Sequence, residues 1–579
     1  MGIKDKEFKA FSIDVFKQLF EGKEIISGWE EERLVTKRIS DYLKDLSFEV
    51  RYLEVPCMAW REKYVEIREG SRDVPALALP YSPSGYAEAP LVYAGHGLEK
   101  DEWEGIEVEG KIALLEWYSE ELDEVVWQYR EAVERGAVGV IVYDAYPGVM
   151  RRIVVHFSED YSYESGDPLP VPVVSVSRLE GLRLIKAARK GLNVSLRVET
   201  ELRHKATGFT VEAIGDEDEA ITLLTAHHDH WLSGFGDNVL GVAMLLFLSK
   251  ELVNSKGIRI VSFCCEESGA LDYSPWYWVW GSRNYVHYLK EKGVLEKLKI
   301  VINIDVATRN PIKLALSSPE MIERARKILG KKAEYELGSP YFDSYPFMVE
   351  GVPSITIHSM DSYFDVYHTN KDIPELVEWD AVIKSYSIVK ELAHIASKFA
   401  DSKEFMRLVR KSILEISQKI LNEKKSLKEA KKVDHEKAKK LRGLLITPIF
   451  EGDYSKDHGP FKTVFLPQLL IVKDYESLKR IFKLIEEGKI NEAYRMLERV
   501  PSKRIIPGDE KIVTRFPKSY LKTLFKVSEK DAILKFLKEM EFIYISDIRR
   551  RVEYLRGIYE AICKGSKEGG SKGYFRDNK

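Results

Sequence analysis

Three short runs, 221–225, 258–264 and 298–304, are almost continuously apolar and rich in β-branched residues, and each is followed within a few positions by an acid or an imidazole. Such runs, with no polar alternation, are what strands buried on both faces of a sheet require. Helical stretches such as 239–252 separate them, so the expected fold class is α/β, with a central mixed, largely parallel sheet flanked by helices. In sheets of this kind ligands bind outside the carboxyl ends of the strands. His227, Glu266, Glu267 and Asp305 stand just past those ends, so four acid or imidazole groups converge on one rim.

The series continues on both sides: Thr225-Ala226-His227-His228-Asp229, Gly236-Asp237-Asn238, Glu266-Glu267, Asp305 and Tyr367-His368-Thr369. Carboxylate and imidazole together, without thiolate, suit zinc or a neighbouring ion such as cobalt or manganese in an open, catalytic site. Two ions about 3.5–4 Å apart need one carboxylate that bridges them. Asp237, in a Gly-rich turn before a helix, is placed for that role. His227 and Asp305 are assigned to one ion, Glu267 and His368 to the other. Glu266 is left beside the pair as a carboxylate without a metal, able to take a proton from a metal-bridging water or hydroxide and pass it to a leaving amine. Asp229, two residues beyond His227, is the expected acceptor orienting that imidazole. His228 and His230 flank the proposed ligand, and alternation sends them to other faces, so both are expected to be structural or to support the ligands from behind.

These residues, His227-x-Asp229, Gly236-Asp237-Asn238, Glu266-Glu267-x-Gly269, Asp305 and Tyr367-His368-Thr369, resemble the co-catalytic zinc aminopeptidases of metallopeptidase family 28, to which glutamate carboxypeptidase II and the transferrin receptor ectodomain also belong. Gly281-Ser282 and Pro346-Phe347…Gly351-Val352-Pro353 fit the same pattern. The resemblance implies five metal ligands, a catalytic glutamate and two divalent ions, zinc first. One departure is the aromatic insert 271–280, with Trp276, Tyr277, Trp278 and Trp280, which either lines a specificity pocket or packs. The pair Cys264-Cys265 is expected to be core.

At 579 residues the chain exceeds one core. Residues 1–74 and 203–400 are expected to form the discontinuous peptidase domain. Gly110-Lys111-Ile112-Ala113-Leu114-Leu115, the segment 136–143 and Val171-Pro172-Val173-Val174-Ser175-Val176 resemble a protease-associated domain, an αβ insert assigned to 75–202. The stretch Gly105 to Lys111 imitates a phosphate-binding loop, but Ile112 replaces the required Ser/Thr and two glutamates would face the phosphates, so that reading is rejected. A mainly helical domain is assigned to 401–564 and a disordered tail to 565–579. Met406, Ile413, Ile420 and Leu427 recur every seven residues, with Val409, Ile416 and Ala430 offset by three, and form an apolar seam. By resemblance the seam belongs to a homodimer; it can equally pack within the chain.

A net charge of −3 gives no global pull toward nucleic acid or anionic membrane. No run of 18 apolar residues and no leader-like h-region is present, and the four cysteines are scattered, so a reducing cytoplasm is expected. Only four glutamines in a chain rich in Lys and Glu hint at a thermophile. The expected function is a dinuclear metal-dependent exopeptidase, an aminopeptidase acting on short peptides. The alternatives are a carboxypeptidase, for which Arg283 or Arg309 would meet the substrate carboxylate, a one-zinc glutaminyl cyclase, and a silent receptor-like homologue, which should have lost ligands.

Overall fold

The structure is a computed structural model that describes residues 3–98, 100–117, 124–157, 165–216, 220–395, 399, 401–430, 432–452, 461–506 and 511–563. The tail assigned to 565–579 lies outside them. The peptidase half is built on strands β1 (Glu49–Glu69), β2 (Asn193–Ile214), β3 (Ile221–His227), β4 (Ile258–Phe263), β5 (Leu298–Ile304), β6 (Lys313–Leu316), β7 (Glu334–Leu337) and β8 (Ser354–His358). Their order is β7-β6-β8-β5-β3-β4-β2. The centre is parallel: β3 pairs with β4 and β5, and β5 with β8, all in the same direction. β2 and β6 join antiparallel, which makes the sheet mixed, as expected.

Why these runs are apolar throughout is visible in the packing. Leu224, Ile260 and Ile302 face one core with the helix Leu240–Leu252, while Leu223, Val261 and Val301 face another with Tyr285 and Leu289 of the helix Trp280–Glu291. Alternate side chains of each strand meet opposite layers, so both faces are largely apolar, and the buried polar side chains among them are paired, Thr225 with Asn303 and Arg259 with Glu212.

β1 and β2 form a long antiparallel ribbon that runs from the peptidase sheet into the insert. The insert strand Gly85–Tyr93 pairs with the first part of β2, and Ile112–Trp117, Gly139–Asp144 and Val173–Val176 follow in the same sheet. Position 203 therefore falls inside one unbroken strand. The helix Glu30–Asp45 starts with no side-chain cap at Trp29. Ser27 Oγ accepts from Cys265 N at 2.7 Å, beside the catalytic-pair candidates.

The C-terminal region is mainly helical with its own core, but it also holds a four-stranded antiparallel sheet: Phe461–Phe465, Ile446–Gly452, Lys503–Ile506 and Lys511–Arg515. The seam helix spans Ser402–Lys419 and stops short of the expected length, since Asn422 takes a left-handed conformation with φ 54°. Met406, Val409 and Ile413 are buried within the chain with the helix Lys530–Cys563. The region docks on the peptidase half through a buried ion pair, Arg442 to Glu320 at 3.0 Å, and through a close approach of two glycines. A Cβ on Gly443 would stand 2.2 Å from Val349 O. Among the described residues no helix is long and apolar enough to cross a membrane.

Candidate metal centre

His227 ends β3, Asp305 follows β5 directly, and Glu266 and Glu267 lie in the turn after β4. Asp237 sits in the tight turn Phe235–Val239 that enters the helix Leu240–Leu252, and His368 comes from the loop after β8. Parallel neighbours with strand ends in register bring all six side chains to one rim. All six are buried.

The geometry has a centre. Asp237 Oδ1 stands 3.2 Å from His227 Nε2, and its other oxygen, Oδ2, stands 3.2 Å from His368 Nε2. Asp305 Oδ1 is 3.6 Å from His227 Nε2, and Glu267 Oε2 is 2.9 Å from His368 Nε2. His227, Asp237 and Asp305 thus form one group able to enclose an ion, and Asp237, Glu267 and His368 a second, with Asp237 common to both. A third grouping, His227 with Glu266 and Glu267, shares the same space. Glu266 Oε2 lies 3.9 Å from His227 Nε2.

Do these residues fit metal ions? Both Nε2 atoms and Glu267 Oε1 are buried and, among the described residues, have no hydrogen-bond partner. Asp229, Asp237, Glu266, Glu267, Asp305, Asp343 and Asp372 crowd the same buried region, with His227 and His368 between the ligand candidates. Buried charges of one sign persist only when paired or bound to a cation. Burial pushes Glu267 up to about 8, and drives Glu266 and Asp305 upward as well. Burial would lower His368, but Glu267 and Asp237 outweigh it and hold it at about 9; His227 likewise rises against its burial through Glu266 and Asp305. The cluster retains protons because it lacks positive charge, and divalent ions with N/O preference would displace them.

The supports of these groups are specific. The Nδ1 of His227 meets the main-chain carbonyl of Asp229 at 2.9 Å. The carboxylate of Asp229 stands 4.0 Å from that ring nitrogen and accepts instead from Glu266 N at 3.1 Å and Glu267 N at 3.2 Å. The sequence reading gave the carboxylate to the imidazole; the turn after β4 brings two unsatisfied N–H groups to it, and those take it. His228 is held by Ser262 and Glu32, and His230 by Lys23 O and His228 O, so both are structural as expected. Asp372, which the sequence reading missed, accepts from Gly236 N at 2.7 Å and Asp237 N at 3.0 Å and so fixes the turn of the bridging candidate. It follows His368 by four residues, and that proximity was its only signal.

The aromatic insert packs. Trp278 stacks on Tyr341 and meets Phe461 of the C-terminal sheet edge to face. Tyr273 leans on Tyr81 and His204, and Asp272 O accepts from Gly166 N. These residues join the insert, the ribbon and the C-terminal region next to the Glu pair. Cys264 and Cys265 are buried free thiols in the same core.

Residues 210–393 match peptidase family M28, and residues 87–184 match the PA domain. The chain carries an M28 peptidase domain. The PA domain precedes the matched peptidase segment, which fits an insertion between the first residues of the fold and β3. Among solved structures, BSAP, a zinc aminopeptidase from Bacillus subtilis, is 19% identical with a TM-score of 0.52, over 67% of this chain and 95% of that one. A peptidase M28 precursor from Shewanella amazonensis SB2B is 18% identical with a TM-score of 0.52, over 68% and 97%. At these identities the likeness concerns the fold. No curated protein matches. The M28 domain, the buried donor set and its surplus of negative charge make the protein a metal-dependent peptidase, a hydrolase.

Proposed function

We propose that the protein is a dinuclear exopeptidase that removes N-terminal residues from short peptides. The observation that carries this reading is the shared carboxylate of Asp237, which turns one oxygen to each of two imidazoles. In this reading His227 and Asp305 hold one ion, Glu267 and His368 the other, and Asp237 both. Two divalent ions, zinc by donor type, supply Lewis-acid polarisation of a carbonyl and acidify water. Glu266 takes the proton of the attacking water and returns it to the leaving amine. Its burial raises its proton affinity, which suits a group that must hold a proton between two steps. Asp229, bound to the Glu266 and Glu267 main chain, keeps the acid–base group and the ligand in fixed relation.

The direction of attack follows from charge. A site with this surplus of carboxylates favours a substrate's free ammonium and disfavours its carboxylate. The two cations of the carboxypeptidase reading are engaged elsewhere. Arg283 donates to Trp276 O and Trp278 O between two indole rings, and Arg309 pairs with Asp365 at 2.6 Å. The test is product mass spectrometry on a peptide and its N-acetylated twin with zinc- or cobalt-loaded protein. Loss of single N-terminal residues from the free peptide alone supports the proposal; C-terminal trimming of both would replace it with a carboxypeptidase.

A further inference from the structure

The two candidate histidine ligands are oriented by different parts of the chain. His227 finds its acceptor two residues away, in the turn that carries it. His368 does not: its Nδ1 lies 3.2 Å from the main-chain oxygen of Arg152, which belongs to the insert, and its own carbonyl accepts from Arg152 N at 3.0 Å. A carbonyl can only accept, so Nδ1 carries a hydrogen, and Nε2, which faces Asp237 and Glu267, is the nitrogen that would offer its lone pair once a cation displaced its proton.

The insert segment is itself clamped. Arg151 and Thr369 form an antiparallel bridge, Asn370 N donates to Met150 O at 3.3 Å, and Met150 N donates to Asn370 Oδ1 at 3.0 Å. The Arg151 side chain is wholly buried, with Nε 2.7 Å from Asp144 Oδ2 and Nη1 donating to the carbonyl of Tyr367. Asp144 ends the insert strand Gly139–Asp144, and Ser175 Oγ of the neighbouring strand donates to Arg151 O at 2.8 Å. A continuous chain of contacts therefore runs from the insert sheet through Asp144 and Arg151 to the residues on either side of His368. His368 needs such a hold, because its φ of 55° lies in the left-handed region that a side chain disfavours.

We propose that Arg151 is a positioning residue for the metal centre: paired with Asp144, it holds the segment whose Arg152 carbonyl sets the tautomer and aim of His368, so the insert governs the affinity of one ion and not of the other. This rests on the reading of His368 as a ligand. The test uses the full chain with Arg151→Met, Asp144→Asn and, as a reference, His368→Ala. Metal-free protein is equilibrated with graded free zinc, bound metal is counted by mass spectrometry, and cobalt absorption is recorded as a second readout. Wild type takes up two ions. Arg151→Met and Asp144→Asn keep one at wild-type affinity and bind the second about 10–100-fold more weakly. Two ions at wild-type affinity, or equal weakening of both, overturns the inference. If His368→Ala itself keeps two ions at full affinity, the ligand reading fails instead. Should Arg151→Met not fold, Arg151→Lys decides: it keeps the charge opposite Asp144 but not the fork to Tyr367, and weakening confined to one ion is again expected, whereas no weakening or equal weakening overturns the proposal.

Discussion

Replacing Asp229 by Asn preserves shape and removes one acceptor. Both carboxylate oxygens are occupied by N–H donors, Glu266 N at 3.1 Å and Glu267 N at 3.2 Å, in a buried setting. An amide can accept one of them through its oxygen and must turn its own NH2 toward the other. One buried N–H loses its acceptor, which costs about 1–3 kcal/mol. At about 1.36 kcal/mol per factor of ten, that is roughly 5–150-fold. The structure also says where the cost falls. The acceptor of His227 Nδ1 is a main-chain carbonyl that the substitution leaves intact, so the His227–Asp305 group keeps its aim. The loss falls on Glu267 and Glu266, weakening the ion at Glu267 and His368 and lowering kcat. Zinc titration with metal counting, kcat at saturating metal, and anomalous diffraction at partial occupancy measure all three. A variant that loses the His227-side ion first, or one with both affinities and kcat unchanged, would refute this account of Asp229.

Glu266→Gln is expected to keep two ions and lose about 10²–10⁴-fold in kcat, the usual contribution of a general acid–base group, and full turnover would sink its assigned role. Burial lowers the imidazole of His156 to about 3. The unfolded chain takes up that proton below about pH 6.5 while the folded chain does not, so stability falls as pH drops from there, by up to about 1.4 kcal/mol per unit. Thermal melts of wild type and His156→Gln at pH 7 and pH 4.5 check the sign: the variant should gain on wild type at the lower pH, and a constant difference contradicts it. Gly443→Ala would place a methyl 2.2 Å from Val349 O and 3.0 Å from Gly351 N, so limited proteolysis should release the C-terminal region faster than in wild type. An unchanged digestion pattern would mean that this close approach does not set the docking.

The strands and the rim were legible because each site residue lies at the end of an apolar run, where local pattern and position in the sheet coincide. His227, Glu266, Glu267 and Asp305 could be placed from one line of sequence for that reason. Asp237 and His368 followed from the need to complete two coordination groups. What sequence could not supply is contact across long separations. Arg152 meets His368 over 216 positions and Asp372 meets Asp237 over 135, and neither contact has a periodic signature. The role of Asp229 was misread since a carboxylate two residues from a histidine looks the same whether it takes the ring or a neighbouring main chain. The seam at 406–430 overreached because a heptad pattern does not register the left-handed turn at Asn422. The short C-terminal strands lie in a stretch dominated by helical pattern, which hides their alternation.

The most direct measurement is anomalous diffraction from crystals of the zinc-loaded full chain, recorded above and below the zinc edge. Two peaks are expected about 3.5–4 Å apart with one Asp237 oxygen on each, His227 and Asp305 on one side and Glu267 and His368 on the other. A single peak in fully loaded crystals, or two ions that do not share Asp237, would contradict that arrangement.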